Sequence, residues 1–407
     1  MKVVFLNTSE RVGGAAVAAS RLEGALRQTG ILVSKLIRRN TWLNRFRFYW
    51  ERLIIFLSNH LSRAKLFTVS IANVGEPVYF YSLIKKADVI HFHWINQGFL
   101  SLKGIEILTG CGKPIVWTMH DMWPCTAICH YSWGCERFHD ECGKCPFLKS
   151  NKQRDLSHYV WRKKYFLKTS GIQLVAVSSW LAEQARKSSL TKDLDVVVIP
   201  NAIDISVFSK KEKIGIRKKL SFPLDKKIVL MGAARLDDPI KGFQFLKEAL
   251  SILFLSRDDL LLVLFGAIKN DKSFFDGLVI PYLSLGLLSD SYQIAELYSA
   301  ADVTVVPSFY ETFGQTIIEA MACGCPAVSF NNSGQTDIID HKINGYLAEY
   351  KNANDLANGI QWILNNPNPQ TLSDACVKKV QESYTEEVVA KQYIALYEKL
   401  LQKNSDS

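Results

Sequence analysis

Ala301-Asp302-Val303-Thr304-Val305-Val306-Pro307-Ser308-Phe309-Tyr310-Glu311-Thr312-Phe313-Gly314, continued by Glu319-Ala320-Met321-Ala322-Cys323-Gly324-Cys325-Pro326, reads as strand, loop, helix, strand. The β-branched run Val303 to Val306 stops at a proline, and Gly314 opens a helical pattern that ends at Gly324. A helix that starts behind a glycine leaves its first backbone N–H groups unpaired beside the positive end of its dipole. Over the carboxyl end of a strand, that arrangement accepts a phosphate. Glu311 precedes the helix and Glu319 stands about two turns into it. The two carboxylates can therefore meet a hydroxyl-rich ligand at separate points, although acids so spaced mostly stay solvated.

The same alternation extends in both directions. Ile228 to Met231, Leu261 to Phe265 and Ala327 to Phe330 read as further buried strands, with a helix over 242–255. Upstream, Val3 to Leu6, Val89 to Phe92, Ile115 to Met119, Leu174 to Val177 and Val196 to Ile199 form an earlier series of the same kind. A chain of 407 residues exceeds one ordinary core. The fold class is therefore α/β, with two Rossmann-like domains. Pro200-Asn201-Ala202-Ile203-Asp204 and the lysine-rich stretch to Lys227 place the seam between 1–203 and 204–407. The C-terminal helices are expected to pack back on the N-terminal domain. Folds of this class bind ligands at the carboxyl ends of their strands, so the two domains are expected to face one another across a cleft.

Composition narrows the partners. The 48% hydrophobic and 22% charged residues describe an ordinary globular chain, and a net charge of +10 favours an anionic partner. Phosphorylated ligand, membrane surface and nucleic acid all qualify on charge. No RNA- or DNA-binding signature supports the last, so no nucleic acid is expected. Met1 to Leu6 is too short an apolar run for an export signal, and no segment reaches the roughly 18 to 20 apolar residues of a membrane span. The expected location is cytoplasmic, with peripheral contact at the inner face of the membrane.

The Glu311 to Glu319 stretch resembles the E-x7-E signature of the retaining family 4 glycosyltransferases, which have the GT-B fold. The resemblance extends through Gly13-Gly14, His120-Asp121, Val177-Ser178-Ser179, Pro200 to Asp204, Arg235 with Lys241-Gly242, and Asn344-Gly345-Tyr346-Leu347. It implies that Glu319 binds the ribose hydroxyls of a UDP- or GDP-sugar donor. Glu311 and the Phe313-Gly314 backbone would hold the sugar, Arg235 and Lys241 the diphosphate. His120 would touch the sugar, and Gly13-Gly14 would permit close backbone approach. No catalytic metal is implied, and the acceptor would be a glycan or lipid-linked sugar in assembly of O-antigen, capsule or exopolysaccharide. The Arg235 to Lys241 spacing is one residue longer than the commoner family pattern, and Asp237-Asp238 within it reads as solvated loop. Two other readings fit: a nucleotide-sugar epimerase of the same fold, and a non-catalytic protein bound to a membrane surface.

Two segments stand apart. The insert 125–146 concentrates Cys125, Cys129, His130, Cys135, His139, Cys142 and Cys145. Without an export signal disulfides are not expected there. Cys129, Cys135, Cys142 and Cys145 offer four thiolates for a structural zinc, with Cys125, His130 and His139 as substitutes. From Lys35 to Leu66 the chain carries eight basic residues against Glu51 alone, interleaved with Trp42, Phe46, Phe48, Tyr49 and Trp50. That pattern suits an anionic headgroup layer or, equally, a helix with a solvated basic face and its aromatics in the core. Arg162-Lys163-Lys164 with Lys168 forms a second basic run.

Overall fold

The computed structural model describes residues 1–10, 12–269 and 273–405. The chain divides into two compact units, Met1–Pro200 together with the segment from Val389 onward, and Asn201–Val388. The boundary expected after residue 203 falls after Pro200 instead.

In the first unit, β1 (Lys2–Asn7), β2 (Leu32–Ile37), β3 (Val89–Phe92), β4 (Ile115–Met119), β5 (Gln173–Ala176) and β6 (Val196–Val198) are all parallel. Their order among the described residues is β2-β1-β3-β4-β5-β6. β3 and β4 are buried along their whole length, which is why they read as continuous apolar runs. His91 sits inside β3 with both ring nitrogens engaged. Nδ1 meets the Tyr397 hydroxyl at 2.7 Å and Nε2 the Thr118 hydroxyl at 2.8 Å. Tyr393 reaches the same Thr118 hydroxyl at 2.8 Å. The C-terminal helix Glu386–Ser405 is thereby tied to this sheet through polar groups that would be costly to bury unpaired.

In the second unit, β7 (Lys227–Arg235), β8 (Leu260–Ala267), β9 (Tyr282–Ser284), β10 (Val303–Val306), β11 (Ala327–Phe330) and β12 (Gly345–Ala348) are again parallel. Their order is β12-β11-β10-β7-β8-β9. Val229, Leu262 and Val305 of the sheet pack with Leu246 and Leu250 of helix Phe243–Phe254 in its core. In each sheet the chain builds outward on one side of its first strand, then crosses to the other. The topological switch points therefore lie between β1 and β3 and between β7 and β10, where open α/β sheets take their ligands.

The insert has no sheet of its own, and a lysine organises its entry. Lys164 is buried, donates from Nζ to the carbonyls of Trp123 at 2.6 Å and Thr126 at 2.9 Å, and lies 3.3 Å from the Trp123 ring centroid. Burial pushes its pKa down to about 7. Lys164 thus leaves the basic surface run to which the sequence assigned it. Among the described residues no helix is long and apolar enough to cross a membrane.

Candidate active site

The residues expected to hold a diphosphate leave the sheet at the β7/β10 switch point. The β7–β8 register shifts between Gly232 and Arg235. A Cβ on Gly232 would fall 1.9 Å from the Phe265 ring, and one on Gly266 (φ 142°) would fall 2.0 Å from the Ala233 carbonyl oxygen. Only glycine lets the two strands approach so closely, and the resulting irregularity bends the strand end that carries Arg235. Arg235 donates from Nε to Asp237 Oδ1 at 2.9 Å, while Asp237 Oδ2 accepts from the Lys269 N–H at 3.2 Å. The Asp237 side chain is only 10% exposed. Asp237 is therefore not the solvated loop residue expected; it aims Arg235 and, by that bond, raises the guanidinium pKa. Asp238 caps the turn Pro239–Lys241, accepting from the Ile240 N–H at 3.2 Å.

Lys241 donates from Nζ to Glu311 Oε1 at 2.7 Å, joining the loop after β7 to the loop after β10. The backbones meet too. Gly242 has φ 66°, and a Cβ there would lie 2.0 Å from the Pro307 carbonyl oxygen. The loop after β11 supports Glu311 from the other side, with its N–H donating to Ser333 Oγ at 3.0 Å and its carbonyl accepting from the Gly334 N–H at 2.7 Å. Ser333 is buried at φ 57°, and a Cβ on Gly334 would fall 2.3 Å from the Thr312 carbonyl oxygen. The sequence reading missed this support. Its signal was the turn-forming run Asn331-Asn332-Ser333-Gly334 directly after a strand.

Phe313 is buried, its ring centroid 5.6 Å from that of Tyr384. Gly314 (φ 124°) starts helix Gln315–Ala322 with no side-chain cap and no acid in the first turn. Gly13 (φ 94°) does the same for helix Gly14–Gln28, and Gly242 for helix Phe243–Phe254. Other helices are closed in the ordinary way, for example by the side chains of Thr41, Ser101, Asp155, Ser178 and Asp290. The glycine-capped starts keep their first N–H groups available to an anion. Glu319 lies half-buried on helix Gln315–Ala322.

In the first unit His120 follows β4, and its Nε2 lies 3.1 Å from His93 Nδ1. Burial lowers the His120 pKa to about 4 and pushes His93 well below its ordinary value, so both rings are neutral. His93 Nε2 is buried without a partner among the described residues. An unpaired lone pair is cheaper to bury than an unpaired N–H, which assigns the proton to Nδ1 of His93, donating to Nε2 of His120. His120 then carries its own proton on Nδ1. Next to it, Asp121 accepts from Trp94 Nε1 at 2.8 Å, the Trp123 N–H at 2.9 Å and His130 Nδ1 at 2.5 Å. Burial alone would raise its pKa, but His130 and these donors hold it below the usual range.

His130 is thus committed to Asp121 and, through Nε2, to Ser70 Oγ at 3.1 Å, which removes it as a metal ligand. Cys129, Cys135, Cys142 and Cys145 line one void of ≈ 20 Å³. Burial pushes the Cys142 thiol up to about 12 and Cys145 to about 11. Among the described residues no group of three or more His, Cys, Asp and Glu side chains is disposed to hold a metal ion. The four thiols expected to ligate zinc are neighbours around that void, but among the described residues they are not disposed as a ligand set.

Two family models match the chain in tandem: Glycosyltransferase Family 4 over residues 12–207 and Glycosyl transferases group 1 over residues 212–382. An uncharacterized glycosyltransferase of Methanocaldococcus jannaschii is 28% identical over 326 residues, covering 77% of this chain and 76% of that protein. D-inositol 3-phosphate glycosyltransferase of Arthrobacter sp. is 26% identical over 289 residues, 69% of this chain and 63% of its own length. Among solved structures, sucrose-phosphate synthase from Thermosynechococcus elongatus matches with TM-score 0.70 at 22% identity, over 99% of this chain and 100% of that one. HepE of Anabaena in complex with UDP-glucose matches with TM-score 0.60 at 17% identity, over 98% of this chain and 100% of that one. At such identity these two structures speak to fold alone. With two parallel Rossmann-like sheets and tandem family matches in the same order, the chain belongs to the family 4 glycosyltransferases of the GT-B fold.

Proposed function

We propose that this glycosyltransferase moves a sugar, with retention of its anomeric configuration, from a nucleoside-diphosphate sugar to a glycan or lipid-linked acceptor in surface-polysaccharide assembly. The observation that carries the donor half is the Lys241–Glu311 pair at the β7/β10 switch point, in the same unit as the glycine-capped helix Gln315–Ala322. An ammonium has three N–H donors, so one spent on Glu311 leaves two for phosphate oxygens. Arg235, aimed by Asp237, supplies a second cation. The leaving nucleoside diphosphate gains negative charge as the glycosidic bond breaks, and prepositioned cations and backbone N–H groups stabilise that change. In this reading Glu319 takes the ribose hydroxyls, Glu311 and the Phe313-Gly314 backbone the sugar, and His120 with Gly13-Gly14 are further sugar contacts. The departing phosphate oxygen accepts the proton of the incoming hydroxyl on the same face of the sugar. UDP-glucose bound to HepE supports a UDP-sugar as the first donor to try.

A second reading of the acceptor is favoured by the relatives named for D-inositol 3-phosphate and by the net charge of +10. It takes a small phosphorylated molecule in place of a glycan. Thermal stabilisation by UDP-, GDP- and ADP-sugars tests the donor half. One class should raise the melting temperature, by about 2.7 kcal/mol of added stability at a hundredfold excess over Kd. Glu319→Ala should abolish the shift. No shift with any sugar nucleotide refutes the proposal, and a new free sugar nucleotide formed without acceptor replaces it by epimerisation.

Zinc in the insert is a separate part of the proposal, supported by the void that Cys129, Cys135, Cys142 and Cys145 share. A bound zinc would deprotonate these thiols and draw them together. Metal analysis of protein purified without chelator should find about one zinc per chain. A content below about a tenth of that leaves four reduced thiols packed as small apolar groups. A lipid-linked acceptor would further require peripheral contact with an anionic membrane.

A further inference from the structure

Helix Trp42–Ser58 carries its polar residues inward. Its buried positions are Asn44, Glu51, Arg52 and Ile55. Glu51 is fully buried and accepts from the N–H groups of Ile71 at 2.7 Å and Ala72 at 2.9 Å. Asn44 donates to the Arg39 carbonyl at 2.8 Å and to the Glu76 carboxylate. Arg52 donates to the carbonyls of Leu66 and Val69. Unpaired, each of these groups would carry the full cost of desolvation, so the bonds decide which face of the helix looks inward.

The face left outside is apolar. Trp42, Phe46, Tyr49, Trp50, Leu53 and Leu57 fall at i, i+4, i+7, i+8, i+11 and i+15, one stripe of a helix. All six are exposed, Trp42 by 78%, Tyr49 by 62% and Leu57 by 57%. Leu61 and Phe67 beyond the helix are exposed as well. Phe46, Tyr49, Trp50 and Leu53 line a shallow groove of ≈ 450 Å³ together with Arg63. A continuous apolar surface of this kind marks a contact site, and the expectation that these aromatics fill the domain core is not met.

Charge selects the occupant. Between residues 40 and 69 Glu51 is the sole acid in the sequence, and it is buried, whereas Arg45, Arg63 and Lys65 are exposed. A second copy laid on this face would bring like charges together. An anionic bilayer meets them with phosphates, and Trp and Tyr, with apolar bodies and polar tips, suit the headgroup layer. We propose that helix Trp42–Ser58 lies in the headgroup layer of an anionic membrane, its aromatic stripe toward the acyl chains and Arg45, Arg63 and Lys65 on lipid phosphates. The assignment rests on the lipid-linked acceptor for its purpose, not for its geometry.

Co-sedimentation of the full chain with vesicles of phosphatidylcholine alone, or with phosphatidylglycerol added, tests it. Binding is expected to the anionic vesicles and to fall with salt. Each of Arg45→Gln, Arg63→Gln and Lys65→Gln should weaken it about fivefold, the equivalent of about 1 kcal/mol per cation near such a surface. The triple variant Trp42→Ser, Phe46→Ser, Trp50→Ser should lose vesicle binding while keeping its thermal response to the sugar nucleotide, which also shows that it folds. Glu319→Ala should do the reverse, so the donor site and the membrane face fail separately. The proposal is overturned if the native chain binds neither vesicle or if the triple variant binds anionic vesicles as the native chain does. A concentration-dependent dimer that the triple variant abolishes also overturns it, by assigning the stripe to a second copy.

Discussion

Asp237 and Lys241 show how single residues acquire a role that spacing does not reveal. Asp237 was legible only as one of two loop acids, yet its two oxygens bridge Arg235 and the Lys269 backbone. Hydrogen bonds to charged groups are worth about 1.5–3 kcal/mol, so Asp237→Ala should lower kcat/KM for the donor by roughly ten- to a hundredfold. Steady-state kinetics with the sugar nucleotide varied measures this, and an unchanged value removes Arg235 from the site. Lys241 shares its charge with Glu311 at 2.7 Å. Lys241→Met should weaken nucleoside diphosphate binding more than it weakens binding of the nucleoside alone, a comparison that calorimetry makes directly. Equal losses would place Lys241 away from the phosphates.

At the scale of elements, glycine and one buried lysine set the arrangement of loops. Gly242→Ala places a methyl 2.0 Å from the Pro307 carbonyl oxygen, at a φ that side chains rarely adopt. The loops after β7 and β10 should part, and the variant should lose donor-induced stabilisation as well as intrinsic stability. Lys164→Ala should leave the Trp123 and Thr126 carbonyls without their donor, at about 1–3 kcal/mol for each group left unpaired. Chemical denaturation measures the loss, and a change below about 0.5 kcal/mol, the range of ordinary surface substitutions, would mean that the ammonium is not buried. Strands buried on both faces, such as VIHF of β3 and VTVV of β10, were legible in the sequence to the residue. The strands not anticipated were β2, β9 and β12, all at sheet edges. LVSKLI is mostly half-buried and interrupted by Ser34 and Lys35, YLS is exposed, and GYLA begins with glycine, so none presents the unbroken apolar run that marks a central strand.

Across the whole molecule, His91, His93 and His120 are held neutral in one unit, each with a folded pKa below the ordinary histidine value. Below about pH 6.5 the unfolded chain therefore binds more protons than the folded one, and stability falls as pH drops toward about 4. The melting temperature should decline over that window and do so less steeply in His93→Leu; an unchanged slope would mean that this imidazole is not buried neutral. By itself, the sequence determined the alternation of strands and helices, the presence of two α/β units and the motif glycines, because periodicity and φ are local properties of the chain. Only the tertiary structure decided that Asp237 turns inward, that Ser333 and Gly334 support Glu311, and that helix Trp42–Ser58 keeps its aromatics outside. Those outcomes depend on which partners distant segments bring, and a buried carboxylate with two backbone donors outweighs the preference of a tryptophan for the interior.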